Sequence, residues 1–172
     1  MNIRIQPIEP GTRPELAAAE AKITAERGRV SLLYQVLLNS PAIASGWEQL
    51  LTAVRNKSSL PAALREMVIL RVAVLNRAVY EFDAHVPHAQ KAGVSDEKIT
   101  ALRNPTIGDR FSAQEQAVLG LTDAMTREID VHDALYASVK YYFNDQQMID
   151  LLVTIASYNM VSRFLVAAQI GH

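Results

Sequence analysis

Apolar residues recur along this chain at intervals of three and four, and no convincing stretch alternates apolar and polar with a period of two. Such intervals return to one face of an α-helix, so the pattern is helical throughout and predicts an all-α bundle. Residues 1–11 read as extended, because Pro7, Pro10 and Gly11 oppose a helix. Thr12-x-x-Glu15, with Pro14 at the start of the next turn, reads as the entry to a helix that runs to about Arg27 and stops at Gly28. A short helix over 31–38 carries Leu32, Leu33, Val36 and Leu37 on one side. Ser40-Pro41 opens another, reaching about Val54, and Arg55 to Ser59 reads as a polar connection.

A long glycine-free apolar region follows, beginning at Leu60-Pro61. Asn76 reads as a break or N-cap inside it, so one helix starts near Ala62 and a second runs from about Arg77 to Ala92, with Gly93 as its stop. Ser95-Asp96-Glu97 starts a short helix, since acidic residues suit a first turn. Residues 104–109 are a loop, and Ser112-x-x-Glu115 is a capping box for a helix to about Arg127. A helix over 132–142 comes next, and Asn144-x-x-Gln147 caps a final one to about Gln169. No repeat or domain boundary interrupts this series, and 172 residues suit one core, so 1–172 reads as a single domain. The loop at 104–111 is where a front half could part from a C-terminal helical hairpin.

Composition narrows the function classes. A net charge of −1 offers no basic field for nucleic acid and no pull toward an anionic membrane. The chain has no cysteine, so it supplies no disulfide, no thiolate metal ligand and no thiol nucleophile. The N-terminus lacks the apolar core of a signal peptide, and no apolar run reaches membrane-spanning length without a charge or an amide, so a soluble cytoplasmic protein is expected.

One stretch suggests chemistry. Arg77, Glu81 and His85 follow each other at intervals of four, His88 lies three beyond His85, and Tyr80 adjoins them. Polar groups thus form a stripe on an apolar helix, and Glu66 on the preceding helix could fold back against it. A buried carboxylate beside a histidine is a natural acid/base pair. Surface helix pairs worth a few tenths of a kcal/mol have the same spacing, and from spacing alone that plainer reading is the stronger. Glu81, His85 and His88 also offer three ligands to a metal ion, but the spacing is not the Glu-x-x-His of di-iron bundles, so no metal and no cofactor is expected. The final helix holds a second cluster, Tyr158, Asn159, Ser162 and Arg163; its Asn159–Arg163 pair could answer a carboxylate such as Glu66 or Glu81 or bind an anion, while a structural network or a subunit contact is the plainer and stronger reading. His132 and His172 stand alone and read as solvent-facing, and Trp47 reads as packing.

Leu64-Arg65-Glu66, followed by Asn76-Arg77-Ala78-Val79-Tyr80-Glu81-Phe82-Asp83-Ala84-His85, resembles the core motif of the carboxymuconolactone decarboxylase and alkylhydroperoxidase D superfamily. Gly93 to Ile99 resembles the turn and short helix after that motif, and Tyr158 to Phe164 the ending of longer decarboxylase-like members. The resemblance covers most of the chain from about residue 32, with the core motif at about 62–99 and residues 1–30 as an N-terminal extension. It implies an alkylhydroperoxidase D-like helical fold and a homo-oligomer, a trimer or hexamer, with a dimer as the smaller alternative. In the peroxidase branch the motif carries a Cys-x-x-Cys pair, an upstream glutamate and a downstream histidine. Here the glutamate falls on Glu66, the histidine on His85, and the cysteines on Ala78 and Glu81. Without a thiolate, peroxide is not attacked and no resolving disulfide forms, so a peroxiredoxin-type label would rest on kinship alone.

The decarboxylase branch implies a cofactor-free lyase acting on a small carboxylated lactone or organic acid. His85 would be the proton donor or electrophile, oriented by Glu66 or Glu81. Arg77, Asn159 and Arg163 would hold substrate oxygens, with Tyr80 and His88 beside them. The alternatives are a cysteine-less relative that only binds a small molecule, and a lactone hydrolase or isomerase.

Overall fold

The computed structural model describes residues 3–171, and every regular element among them is helical. After a 3-10 turn at Pro14–Leu16 come α1 (Ala17–Arg27), α2 (Leu32–Leu37) and α3 (Pro41–Thr52), the last continued by a π-helical turn, Ala53–Lys57. Then follow α4 (Ala62–Leu75), α5 (Val79–Lys91), α6 (Asp96–Ala101), α7 (Ala113–Arg127), α8 (Asp133–Lys140) and α9 (Asp145–Ala168). The polar connection expected from Arg55 is therefore still helical, but wound more widely, up to Lys57.

Residues fall into two compact units, one ending at Lys57 and rejoined by the chain from Ala168, the other Ser58–Ala167. The first holds α1 to α3. Its buried side chains include Ile23 of α1, Tyr34 and Leu37 of α2, and Trp47 and Leu51 of α3. Thr12 does not cap a helix as expected; its hydroxyl donates to Glu9 O at 2.6 Å, and Arg13 takes the cap position in extended conformation.

The second unit holds α4 to α9 and the chemistry. Its core helix α4 packs on α5 and α7 and buries nine residues from Leu64 to Ala73, which is why its pattern is apolar all round. Helix ends follow the capping residues. Ser112 Oγ accepts from Glu115 N at 3.3 Å while Ser112 N donates to Glu115 Oε2 at 2.8 Å. Asn144 and Gln147 make the same reciprocal pair before α9. Gly93, at φ 89°, closes α5 in the left-handed region. By length and composition α9 could cross a membrane; 56% of its most apolar stretch is buried in the protein.

The 104–111 loop does not part this unit. The fully buried Arg71 of α4 grips it, donating to Leu102 O at 2.8 Å, Asn104 O at 2.6 Å and Pro105 O at 3.3 Å. The same guanidinium holds Asp123 of α7 through two hydrogen bonds of 2.6 Å. One buried cation thus ties α4, α7 and the loop together.

Three turns among the described residues place a non-glycine residue in the left-handed region, one of them Gln169 (φ 55°) after α9. Arg77 (φ 59°) follows Asn76, which caps the end of α4 instead of starting α5. Ile129 (φ 70°) ends α7, its N–H donating to Ala124 O at 3.0 Å. A β-branched side chain is strained there, and Ile129 is 80% exposed, so little packing compensates. Ile129→Gly is expected to raise unfolding free energy by about 1 kcal/mol. Urea unfolding checks this, and a decrease would refute the strain.

Candidate active site

Glu66 projects from α4 and His85 from α5, and the turn between these helices brings them together. Glu66 Oε2 lies 2.8 Å from His85 Nδ1, and both residues are buried. Glu66 Oε1 is 3.6 Å from Arg65 Nε, an electrostatic contact too long for a hydrogen bond. A carboxylate on Nδ1 fixes the imidazole's orientation and favours a proton on that nitrogen, so exchange with a substrate runs through Nε2.

One turn before His85 on α5 stands Glu81, only 2% exposed. Burial is the main influence on it and pushes its pKa up to about 8, against a smaller lowering by the Ser162 hydroxyl, which donates to Oε2. Oε1 is buried with no hydrogen-bond partner. Glu81 is therefore largely a neutral acid at pH 7.

This has a measurable sign. An unfolded Glu81 ionises at about 4.3 and the folded one at about 8, so between those values the native state holds the extra proton. Stability is expected to fall as pH rises from about 4.3 to 8 and then level off. In Glu81→Gln that part of the decline should vanish. Denaturation midpoints across pH 4–9 test it, and an unchanged slope in the variant would refute a neutral buried Glu81.

Helix α9 closes the cluster. The Tyr158 ring meets His85 edge-on, with centroids 5.2 Å apart, and Ser162, four residues later on the same face, reaches Glu81. The His88 ring lies 5.6 Å from that of His85, though His88 is itself exposed. Tyr158 and Ser162 belong to the polar cluster visible in the sequence, but nothing there assigns them to His85 and Glu81. Their signal is a pair of polar residues at helical spacing inside an apolar helix.

The remaining predicted residues lie differently. Asn159 accepts from Asn76 Nδ2 at 2.9 Å and donates to Thr126 Oγ1 at 2.9 Å and Ile155 O at 3.0 Å, so its amide is engaged within the fold. It ties the α4–α5 turn to α7 and α9. Tyr80 is half-buried, and Arg77 and Arg163 are exposed. Glu66, Glu81 and His85 are thus the predicted trio that shares buried surroundings. Among the described residues, no three His, Asp or Glu side chains gather closely enough to hold an ion. His132 is exposed, as expected, and its Nδ1 accepts from Leu135 N at 3.2 Å to cap α8; His172 lies outside the described residues. An open cleft of about 440 Å³ beside α6, lined by Asp96, Glu97, Thr100, Ala101, Asn104 and Arg110, includes none of the predicted site residues.

Comparison with known proteins agrees with this architecture. Residues 41–124 match the carboxymuconolactone decarboxylase family. The uncharacterized protein YdfG of Bacillus subtilis (strain 168) is 29% identical over 113 residues, 64% of this chain and 77% of that one. A structure from Agrobacterium tumefaciens, of unknown function and described as a putative antioxidant defence protein AhpD, aligns with TM-score 0.72 at 23% identity, covering 78% of this chain and 92% of that one. A cysteine-to-alanine variant of the debrominase Bmp8, in complex with 2,3,4-tribromopyrrole, aligns with TM-score 0.81 at 16% identity, over 98% of this chain and 91% of that one. The all-helical fold is therefore that of alkylhydroperoxidase D-like proteins.

Proposed function

We propose that the chain, whose residues 41–124 match the carboxymuconolactone decarboxylase family, is a cofactor-free acid/base lyase acting on a small carboxylated lactone or related organic acid. The observation that carries the reading is the buried juxtaposition on α5: His85 held at 2.8 Å by Glu66, and one turn away a Glu81 that keeps its proton up to about pH 8. Two carboxyl groups in contrasting surroundings take contrasting roles.

Decarboxylation needs what these groups supply. The bond from carbon to the substrate carboxylate breaks, carbon dioxide leaves, and the electron pair passes into the unsaturated lactone as an extended enolate. With a proton on Nε2 as well as on the Nδ1 that faces Glu66, His85 stabilises the developing negative charge through Nε2–H. Glu81 delivers the proton that the carbanionic carbon takes up, and Ser162 keeps its carboxyl oriented for that step. Arg77, Tyr80, His88 and Arg163 are the remaining candidates to hold substrate oxygens; Asn159, with its amide engaged, supports the turn instead. A thiol route is closed to the chain, since it has no cysteine.

Carbon dioxide release from a panel of carboxylated unsaturated lactones tests the reading, with one deuteron expected in the product in heavy water. Ring opening without carbon dioxide would replace it with a lactone hydrolase. Thermal stabilisation by a panel member without turnover would favour a second reading, a relative that has exchanged redox cysteines for Ala78 and Glu81 and binds its ligand only.

A further inference from the structure

Arg65 precedes Glu66 on α4, and neighbouring side chains of a helix diverge by about 100°. Its Nε nevertheless comes to 3.6 Å from Glu66 Oε1, and its side chain is only 15% exposed. That Nε–H is buried and makes no hydrogen bond. A buried guanidinium nitrogen left unbonded costs stability, and a long arginine could recover the loss by turning its head into water. Its place against the carboxylate therefore calls for a reason other than stability.

Glu66 meets a nitrogen on each of its oxygens, Arg65 Nε on Oε1 and His85 Nδ1 on Oε2. The two nitrogens differ in kind. A guanidinium is charged at every working pH, whereas an imidazole is charged only while it keeps its second proton. A carboxylate shared with a permanent cation attracts the imidazolium less than one left wholly to it. The arginine charge also repels the imidazolium through an interior of low dielectric.

We propose that Arg65 is a positioning residue of this site, drawing on Glu66 so that the His85 imidazolium holds its Nε2 proton less tightly. The inference rests on the acid/base reading of Glu66 and His85 and deepens it. A more acidic imidazolium is a stronger hydrogen-bond donor to the oxygen on which charge develops. Arg65 acts through Glu66, as Glu66 acts through the histidine. The other groups around His85 supply no such opposing charge. On α5, Glu81 keeps its proton up to about pH 8, and the exposed His88 has its ring 5.6 Å away. From α9 come the Tyr158 ring, at 5.2 Å, and the Ser162 hydroxyl bonded to Glu81. Arg65 is the permanent cation in this set.

NMR titration of the His85 ring, assigned by its loss in His85→Ala, reads the effect with no substrate present. Arg65→Met is expected to raise the titration midpoint of His85 by about one pH unit, and Arg65→Lys, which keeps the charge, should leave it within about 0.3 of wild type. An unmoved or lowered midpoint in Arg65→Met overturns the proposal. An equal rise in Arg65→Lys also overturns it, by tracing the effect to packing. The comparison is repeated in a Glu81→Gln background, which removes the other buried carboxyl. A rise that disappears there belongs to Glu81 and overturns the proposal; the same rise supports it. Should Arg65→Met misfold, Arg65→Gln takes its place with the same expected rise. If the midpoint rises while no lactone or organic acid is turned over, the role of Arg65 stands and the lyase reading falls.

Discussion

Replacing His85 with alanine is expected to lower turnover of an accepted substrate by about 10²–10⁴-fold, the usual contribution of a positioned acid/base group. Its ring nitrogen is the atom assigned to the developing charge, and its geometry is set by Glu66 at 2.8 Å. The helical spectrum should be unchanged and substrate affinity only slightly altered, because the ring fills a site already walled by Tyr158 and α4. Glu66→Gln should cost less, since Gln still accepts a hydrogen bond but cannot favour a protonated imidazole. Combined with His85→Ala, Glu66→Gln should add almost nothing, because Glu66 acts through the histidine. Single-turnover kinetics of the four proteins in this cycle would check it. Additive losses would mean that Glu66 touches substrate by itself, and full activity in His85→Ala would remove the acid/base reading.

The largest expected effect on stability lies elsewhere in the second unit. Arg71→Met should destabilise the protein by about 3–5 kcal/mol. The methionine fills part of the space but leaves the half-buried Asp123 beside carbonyls that have lost their donor. For a chain of this size each kcal/mol moves the melting temperature by about 2–4 °C, so a drop of about 10 °C is expected. Calorimetry measures it, and a loss under about 1 kcal/mol would show that the loop at 104–111 is held by something other than this guanidinium. The double replacement Arg71→Met with Asp123→Leu should recover much of the loss, since removing both partners leaves no stranded charge.

Helix positions are legible in the sequence because their signals are local. Gly28 and Gly93 stop helices through their backbone freedom, and Ser112 and Asn144 start them through side chains that reach three residues ahead. The pairing of Glu66 with His85 is left open by the spacing and singled out by a family resemblance, and that of Glu81 with Ser162 is not legible at all. Partners 81 residues apart leave no periodic mark in one sequence. The same holds for Arg71 and Asp123, which look like ordinary surface charges on amphipathic helices until α4 is seen to be buried all round. Asn159 stands out as a polar residue in an apolar helix; which neighbour it answers depends on a turn 83 residues earlier. Thr12 shows the opposite case: a valid local motif loses its hydroxyl to Glu9 O, three residues back.

That turn, from Asn76 to Ala78, also sets how the chain can vary. Arg77 adopts a left-handed conformation, the Ala78 N–H bonds back to Ala73 O at 2.8 Å, and Asn76 is moored to Asn159. The result is a fixed rotational phase between α4 and α5. One residue inserted or deleted there would rotate α5 by about 100° relative to α4, enough to swing His85 from facing Glu66 to facing a neighbouring helix or solvent. A change of letter at position 77 costs at most local strain, and glycine there would relieve it. A change of count undoes the site at once. At position 77 the chain is tolerant in spelling, and across the turn it is intolerant in length, as a key is to its plating and not to the spacing of its teeth.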